Sequence, residues 1–593
     1  MTAILGVNFN HADAAAALLV DGKLTAAVAE ERLGTRTKHD SRFPAVAICR
    51  VLEMSGISPR DLTHVAVARD TRANRVGRLK YMLENPFRAW PSVRSHLQRR
   101  QREGGILQRV AAACDADPSQ LRALVVPVEH HLSHVASAYY CSPFDGLTAG
   151  MSYDGSGDFA SFMACRCEGT RIEVLDRVLL PNSLGFFYTA ICQFIGFDYF
   201  GEEYKVMGLA PYGEDRYAEQ MARLLQTNEH RWFQLDRKYF DMLGPVASGE
   251  LSENGQITMG RMYSDEMIRL FGQPRRRTDE MMQRDRDLAR SCQVRFEQAA
   301  MHCANQLHKL VPTNKIAYAG GCALNGVANA RMLRDTPFCE QYLQSASADD
   351  GTSLGAALRT WHNVAGGKER FHMHHAYWGP EYSTDQIRAV ADGCKMPQLN
   401  VDRSRIPGVT AQLLRSGMVV GWYQGRSEWG PRALGNRSIL ADPTQPQMKE
   451  LINAKIKRRE LFRPFAPTIV RRAVNTYFEQ DVFSPFMMHV VKVRAEYRDR
   501  LPSITHVDGT GRLQSIERET NQLYYDLIES LGELSGIPII LNTSFNENEP
   551  IVDTPEQAMN CFLRTGLDAI VLGTHIIVKP EYAARLTECH DLV

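Results

Sequence analysis

The sequence predicts an α/β protein in two parts: an internally duplicated N-terminal domain followed by a separate α/β C-terminal domain. Three observations lead there. A strand–polar turn–strand block at the N-terminus recurs, with an acidic residue in a Gly-rich turn, at TAGMSYDGSGDFASFMACRC. Helix-length apolar patterns alternate with short β-rich runs along the whole chain. The patterning lapses in VAGGKERFHMHH, residues 364–375, before a fresh set of strands begins. At 593 residues the chain exceeds a single domain of ~150 residues, and 44% hydrophobic with 23% charged residues marks an ordered globular protein. The boundaries expected are therefore 1–363, a linker at 364–375, and 376–593.

Taken in order, AILGVN predicts the first strand, FNHAD a polar turn, AAAALLVDGK a second strand and LTAAVAEE a third. FPAVAICRVLEMSG and the stretch around His130 predict helices. KIAYAGG predicts a strand whose glycine turn opens a helix in CALNGVANARML. Two such hairpins, one per half, fit the sugar-kinase, actin and RNase H-like architectures, where they face each other across a nucleotide cleft. In the C-terminal part, MVVGWYQG, IPIILNTSF, LDAIVLG and IIVKP read as strands.

Sixty-nine Lys and Arg against 68 Asp and Glu give a net charge of +1, which excludes a polyanion binder working through bulk positive charge. The basic clusters Arg99, Arg100, Arg102 and Arg275, Arg276, Arg277 read as solvated helix faces. Thirteen scattered cysteines without a C-x-x-C motif indicate free thiols in a reducing compartment. Neither a secretion signal nor an apolar run of ~18 residues is found, so a cytoplasmic protein with no membrane and no nucleic-acid partner is expected.

EHHLSHVASAYY puts His130 and His134 at i, i+4, on one helix face and within reach of one metal ion, while His131 points elsewhere. Asp154, in the turn YDGSGD, and Asp349, at the helix start ADDGTSLGAA, add two carboxylates. Two imidazoles and two carboxylates suit Fe(II), Mn(II) or Zn(II). The Gly320–Gly321 turn before Asn325 can offer backbone N–H groups to an anion. GEEYKVMGLAPYG, with Lys205, reads as a cleft-lining loop because its glycines disfavour regular structure. Arg426, Arg432 and Arg437, then Lys455, Lys457, Arg458, Arg459 and Arg463, predict a rigid phosphate cradle. Thr543, Ser544 and Asn546 follow a buried strand, where they could fix a nucleotide or carbonyl oxygen.

In this order, NHADAAAALLVDG, EERLGTRTKHDSRFP, HHLSHVASAYY, GEEYKVMGLAPYG, EWGPRALGNRSILADP, KRRELFRPFAP and NTSFNENEPIV resemble the NodU/CmcH/TobZ family of O-carbamoyltransferases over nearly the whole chain. The resemblance implies an N-terminal domain of the threonylcarbamoyl-transfer type and a C-terminal YrdC-like domain. It implies that the latter makes carbamoyl-adenylate from carbamoyl phosphate and ATP, used with Mg(II), and that the former transfers the carbamoyl group to a hydroxyl of a small-molecule natural product. On the same basis, His130, His134, Asp154 and Asp349 match the ligands of an iron site, with Asp350 as the alternative to Asp349. Thr543, Ser544 and Asn546 match a T-S-x-N nucleotide element, and the Arg/Lys cluster a triphosphate site. His11, Asp13, Lys38 and His39 lie in the two N-terminal motifs expected to line the acceptor pocket, with Asp241 as a further candidate. The acceptor is not legible, and the oligomeric state is open, a homodimer included. A tRNA threonylcarbamoyl transferase is disfavoured by the fused C-terminal domain and neutral charge. Carbamoyl transfer to a hydrogenase-maturation thiol is disfavoured by the lack of C-x-x-C fingers. A non-catalytic nucleotide sensor is disfavoured by the full set of ligand and arginine candidates.

Overall fold

Strand β1 (Ala3–Asn8) is buried throughout, as an apolar run covered on both faces must be. It pairs antiparallel with β2 (Ala15–Val20), which pairs antiparallel with β3 (Lys23–Ala29). On its other edge β1 runs parallel to β4 (His64–Val67), and β4 to β5 (Leu124–Pro127). A second sheet repeats the plan. Its antiparallel strands are β6 (Thr148–Gly157), β7 (Ala160–Glu168) and β8 (Arg171–Leu179). Two short hairpins follow, β9 (Leu225–Asn228) with β10 (Arg231–Leu235), and β11 (Glu250–Leu251) with β12 (Ile257–Thr258). Then β13 (Lys315–Ala319) and β14 (Glu340–Leu343) add parallel to β6. The two orders, β3-β2-β1-β4-β5 and β8-β7-β6-β13-β14, are the same in sequence and sense, so the duplication inferred from the recurring hairpin is present in the fold.

The structure, a computed structural model, describes residues 1–34, 36–85, 105–241, 250–252, 255–460 and 462–586. The cluster Arg99, Arg100 and Arg102 lies outside the described residues. The chain divides into two units, Met1–Met373 and His374–Val593.

Within the first unit, the helices Ala45–Ser55 and Ile106–Ala113 cover the first sheet, closing a core of Leu5, Val7, Leu18, Ile48, Val51, Val65 and Val110. The helix His130–Tyr139 packs on β6, β7 and β13, and the helix Asp350–Asn363 packs on β1, β2 and β4. These two helices also meet each other at Gly355, where a Cβ atom would lie 1.8 Å from the Ser133 carbonyl oxygen. The glycine is what lets the helices approach closely enough to share a site.

Three local expectations are corrected. GEEYKVMGLAPYG is not a loop: Glu203–Leu209 is an α-helix and Ala210–Tyr212 a 3₁₀ turn, because burying Val206, Met207 and Leu209 outweighs the ~1 kcal/mol cost of a helical glycine. Asp154 lies in β6, where the ladder slips register between Tyr153 and Gly157. The turn itself is Asp158–Phe159, whose φ values of 49° and 70° are those of a type I′ hairpin. Arg275 and Arg277 are not on a helix: Arg275 donates to the Ile195 carbonyl at 2.9 Å, and Arg277 pairs with Asp198 at 3.0 Å.

The second unit is built on one nine-stranded mixed sheet. In chain order its strands are β15 (Gln398–Asn400), β16 (Val420–Tyr423), β17 (Arg437–Ala441), β18 (Ala466–Val470), β19 (His489–Lys492), β20 (Thr510–Ile516), β21 (Ile539–Ser544), β22 (Ala569–Leu572) and β23 (His575–Val578). In space they run β15-β23-β22-β16-β17-β21-β18-β20-β19. The helices Ile406–Arg415 and Gln522–Ser535 pack against each other in this unit. Among the described residues no helix is long and apolar enough to cross a membrane.

Candidate active site

His130 and His134 are fully buried on the helix that begins at His130. The helix is held by Asp158 of the I′ turn, whose carboxylate accepts from the His130 backbone N–H at 2.9 Å and the Asp70 N–H at 2.8 Å. A carboxylate at this end also favours the helix dipole. Gly157 makes room for the ring, since a Cβ there would fall 1.9 Å from His130 Cδ2. His131 turns away, as expected, and its Nδ1 meets Ser152 Oγ at 2.9 Å.

The two imidazoles face two carboxylates. His130 Nε2 lies 3.4 Å from both Asp154 Oδ2 and Asp349 Oδ1. His134 Nε2 lies 3.5 Å from Asp154 Oδ2 and 3.3 Å from Asp349 Oδ1. Four donors sharing one ion at bonds of about 2.0–2.2 Å sit about 3.3–3.6 Å apart in a tetrahedral arrangement. All four donor atoms fall within 4.8 Å of one another, so the set fits a metal ion. Electrostatics agree. Burial opposes charge on His130, yet Asp349 and Asp154 hold its pKa up at about 10. Burial would raise Asp154, but the two histidines keep it well below the usual carboxylate range. Asp349 is lowered by the same pair against burial and the Asp154 charge. Such a set favours cation-compensated carboxylates in a dry site.

Gly321, expected to offer its N–H to a ligand anion, donates it instead to Asp154 Oδ1 at 3.1 Å and so orients that carboxylate. Asn325 is also structural: it caps the helix Gly326–Asp335 and exchanges two hydrogen bonds with Gln293. Gly320 adopts φ 108° against the Tyr153 backbone. Asp350 stays outside the group, accepting from the Gly351 N–H at 3.0 Å, and burial among Asp13, Glu31 and Asp349 drives its pKa well up.

The four acceptor-pocket candidates do not form one cluster. His11 stacks on His130 with centroids 4.8 Å apart, and its Nδ1 is 4.0 Å from Asp349 Oδ2. Burial and the His130 charge lower its pKa to about 3, so the ring is neutral. Asp13 and His39 form a second group with Glu31: His39 Nδ1 to Asp13 Oδ1 is 2.7 Å, and the His39 N–H donates to Glu31 Oε2 at 2.9 Å. Burial works against the imidazolium, but Asp13 raises its pKa to about 9. Lys38 is exposed. Lys205 is buried and paired with Glu202 at 2.8 Å. Asp241 donates its N–H to the Met262 carbonyl at the end of a described segment.

In the second unit the predicted cations separate into different roles. Arg437 is fully buried, and its five N–H groups go to the carbonyls of Asp553, Gln424, Asn436, Pro380 and Gly425, with the guanidinium 3.8 Å above the Tyr423 ring. No donor is left for a phosphate, which corrects that expectation. Arg426 donates to the carbonyls of Gly379 and Trp378 and lines a cleft of about 900 Å³ with His375, Trp378 and Asn521. Lys457 is buried, its ammonium bonded to Ser544 O and Oγ and to Asn546 O and Oδ1 at 2.6–3.2 Å. It fixes the strand end that carries Thr543, Ser544 and Asn546, with Thr543 opposite Ile439 on β17. Lys455 and Arg458 are exposed, Arg458 beside Glu547 at 3.4 Å. By contrast, Arg432, Arg463 and Arg459 lie near enough to Arg512 of β20 that their charges add to burial in driving its pKa far down. Arg512 is the member the sequence reading missed; its signal is a lone guanidinium in the otherwise weakly charged strand TGRLQSI.

Residues 3–358 match the family model described as Carbamoyltransferase N-terminus, and residues 411–579 that described as Carbamoyltransferase C-terminus. The chain is similar to the uncharacterized protein sll1178 of Synechocystis sp., 36% identical over 618 residues covering 99% of this chain and 98% of the relative. It is similar to the nodulation protein NolNO of Sinorhizobium fredii, 36% identical over 98% of this chain and 81% of the relative. Among solved structures, full-length HypF in its phosphate- and nucleotide-bound form aligns at TM-score 0.31 and 14% identity over 61% of this chain and 56% of that one.

Proposed function

Since the chain belongs to the carbamoyltransferase family, whose two models together match most of its length, we propose that it is an ATP-dependent O-carbamoyltransferase. The second unit makes carbamoyl-adenylate from carbamoyl phosphate, water and ATP, releasing inorganic phosphate from the first and pyrophosphate from ATP. The first transfers the carbamoyl group to a hydroxyl of a small natural-product acceptor, with AMP as leaving group. The observation that carries the reading is the convergence of Arg432, Arg459 and Arg463 on Arg512. Arg512 is half-buried under the like charges of the other three, one of which, Arg463, also pairs with Glu460 at 3.7 Å, and a polyphosphate is a ligand whose charge would offset that load on Arg512.

The division of labour follows from the side chains. In the second unit the four arginines bind the phosphoryl oxygens and neutralise the negative charge that gathers on departing pyrophosphate. Ser544 Oγ donates to Asn546 Oδ1, Lys457 donates to both, and Asn546 Nδ2 donates to the Glu549 carbonyl, so this element shapes the strand end beside the site. In the first unit His130, His134, Asp154 and Asp349 would hold the divalent metal, for which iron(II) is our assignment. Such an ion supplies Lewis acidity and a template for the adenylate phosphate. His11, neutral beside this group, can accept a hydrogen bond from the acceptor hydroxyl, and the Asp13–His39 pair with Lys38 bounds the acceptor side. The test is incubation of the protein with ATP, carbamoyl phosphate and a panel of hydroxylated metabolites. A mass gain of one carbamoyl group on an acceptor supports the reading. Failure to exchange labelled pyrophosphate into ATP, with carbamoyl phosphate present, refutes it.

A further inference from the structure

Cys49 and Cys114 lie on the flank of the first sheet. Cys49 is on the helix Ala45–Ser55, and Cys114 caps the helix Ile106–Ala113; both helices rest on the same apolar core. Their sulfurs are 3.4 Å apart, and Cys49 Sγ also donates to the Ala113 carbonyl at 2.7 Å. Both thiols are half-buried, so small reagents can reach them. By contrast, Cys165 and Cys167 are buried on one face of β7. A disulfide needs sulfurs about 2.05 Å apart, so bonding here requires closing about 1.4 Å between two side chains already in contact.

We propose that Cys49 and Cys114 are a redox modification site, joined as a disulfide by a low-molecular-weight disulfide such as oxidised glutathione. The Cys49 thiolate attacks one glutathione sulfur, breaking its S–S bond and releasing one glutathione thiol. The Cys114 thiolate then attacks the Cys49 sulfur of the mixed disulfide and releases the second. The two cysteines lose two electrons and two protons; the oxidant gains them as two thiols. Burial and the Cys49 neighbour push the Cys114 thiol up to about 12, so it serves as the slower, resolving sulfur. The bond closes a long stretch of chain and ties the two helices across the core edge, which stabilises the fold.

The full chain is treated with excess oxidised glutathione, alkylated with iodoacetamide in denaturant, and digested without reductant. The expected product is a linked peptide pair containing Cys49 and Cys114, lighter than the separate peptides by two hydrogens. Cys114→Ser should instead retain a glutathione adduct on Cys49. Oxidation should raise the thermal midpoint of the native chain and leave that of Cys49→Ser unchanged. Full alkylation of both thiols after treatment overturns the proposal. Linkage spread over other cysteine pairs, or the same midpoint shift in Cys49→Ser, overturns it as well.

Discussion

The Nε2 atoms of His130 and His134 lie 3.1 Å apart in a site that excludes solvent. Two imidazole nitrogens this close share either a proton or a cation, and with Asp154 and Asp349 within 3.3–3.5 Å of both the four donors suit a metal ion. His130→Ala should therefore abolish metal retention and carbamoyl transfer while leaving pyrophosphate exchange within about twofold. Metal analysis of the purified variant, run beside separate assays of each half-reaction, checks this; equal loss of both half-reactions would show that the two chemistries are not separable.

Asp158 acts at one remove, by seating the N-terminus of the His130 helix. Asp158→Asn keeps the shape but weakens the acceptor for the His130 and Asp70 N–H groups. We expect a loss of roughly 10–100-fold in metal affinity, the usual effect of removing an outer partner. Competition with a chelator measures it, and restored affinity in Asp158→Glu is not expected in so tight a turn.

The His39–Asp13 pair sets a pH dependence. An imidazole held at about 9 in the folded chain but near ~6.5 when unfolded stabilises the fold fully below the lower value. That stabilisation fades as pH rises through about 9. The NMR titration midpoint of His39 should sit near 9 in the native chain and fall toward neutrality in Asp13→Asn.

The arginine quartet predicts opposite effects on stability and activity. Arg512→Met removes a charge that its three neighbours repel, so the ligand-free chain should melt higher. The same change should suppress pyrophosphate exchange at least tenfold, as should Arg463→Ala. Thermal melts with and without inorganic pyrophosphate separate the two effects, because ligand at about 100 times its Kd adds about 2.7 kcal/mol only where the site is intact.

Much of the first unit was legible because its signals are local. The i, i+4 histidines, the recurring hairpin and the glycine turn at Gly320 each follow from short-range geometry. What escaped depends on contacts distant in the chain. Lys457 and Arg437 read as phosphate ligands because composition cannot distinguish a cation facing a ligand from one whose hydrogens are taken by carbonyls. Arg512 escaped for the converse reason: only the register of β20 beside β18 brings it to the arginines of the RPFAP and GPRALG motifs. Within 201–213 the stretch Glu203–Leu209 became a helix because three buried side chains outweighed its glycine, a tertiary effect that propensity does not encode.

The helix bearing His130 and His134 rests on the second sheet, whereas the helix that Asp349 opens rests on the first. The donor quartet therefore straddles the seam between the two repeated halves. An ion held by all four donors would thus cross-link the two halves of the first unit.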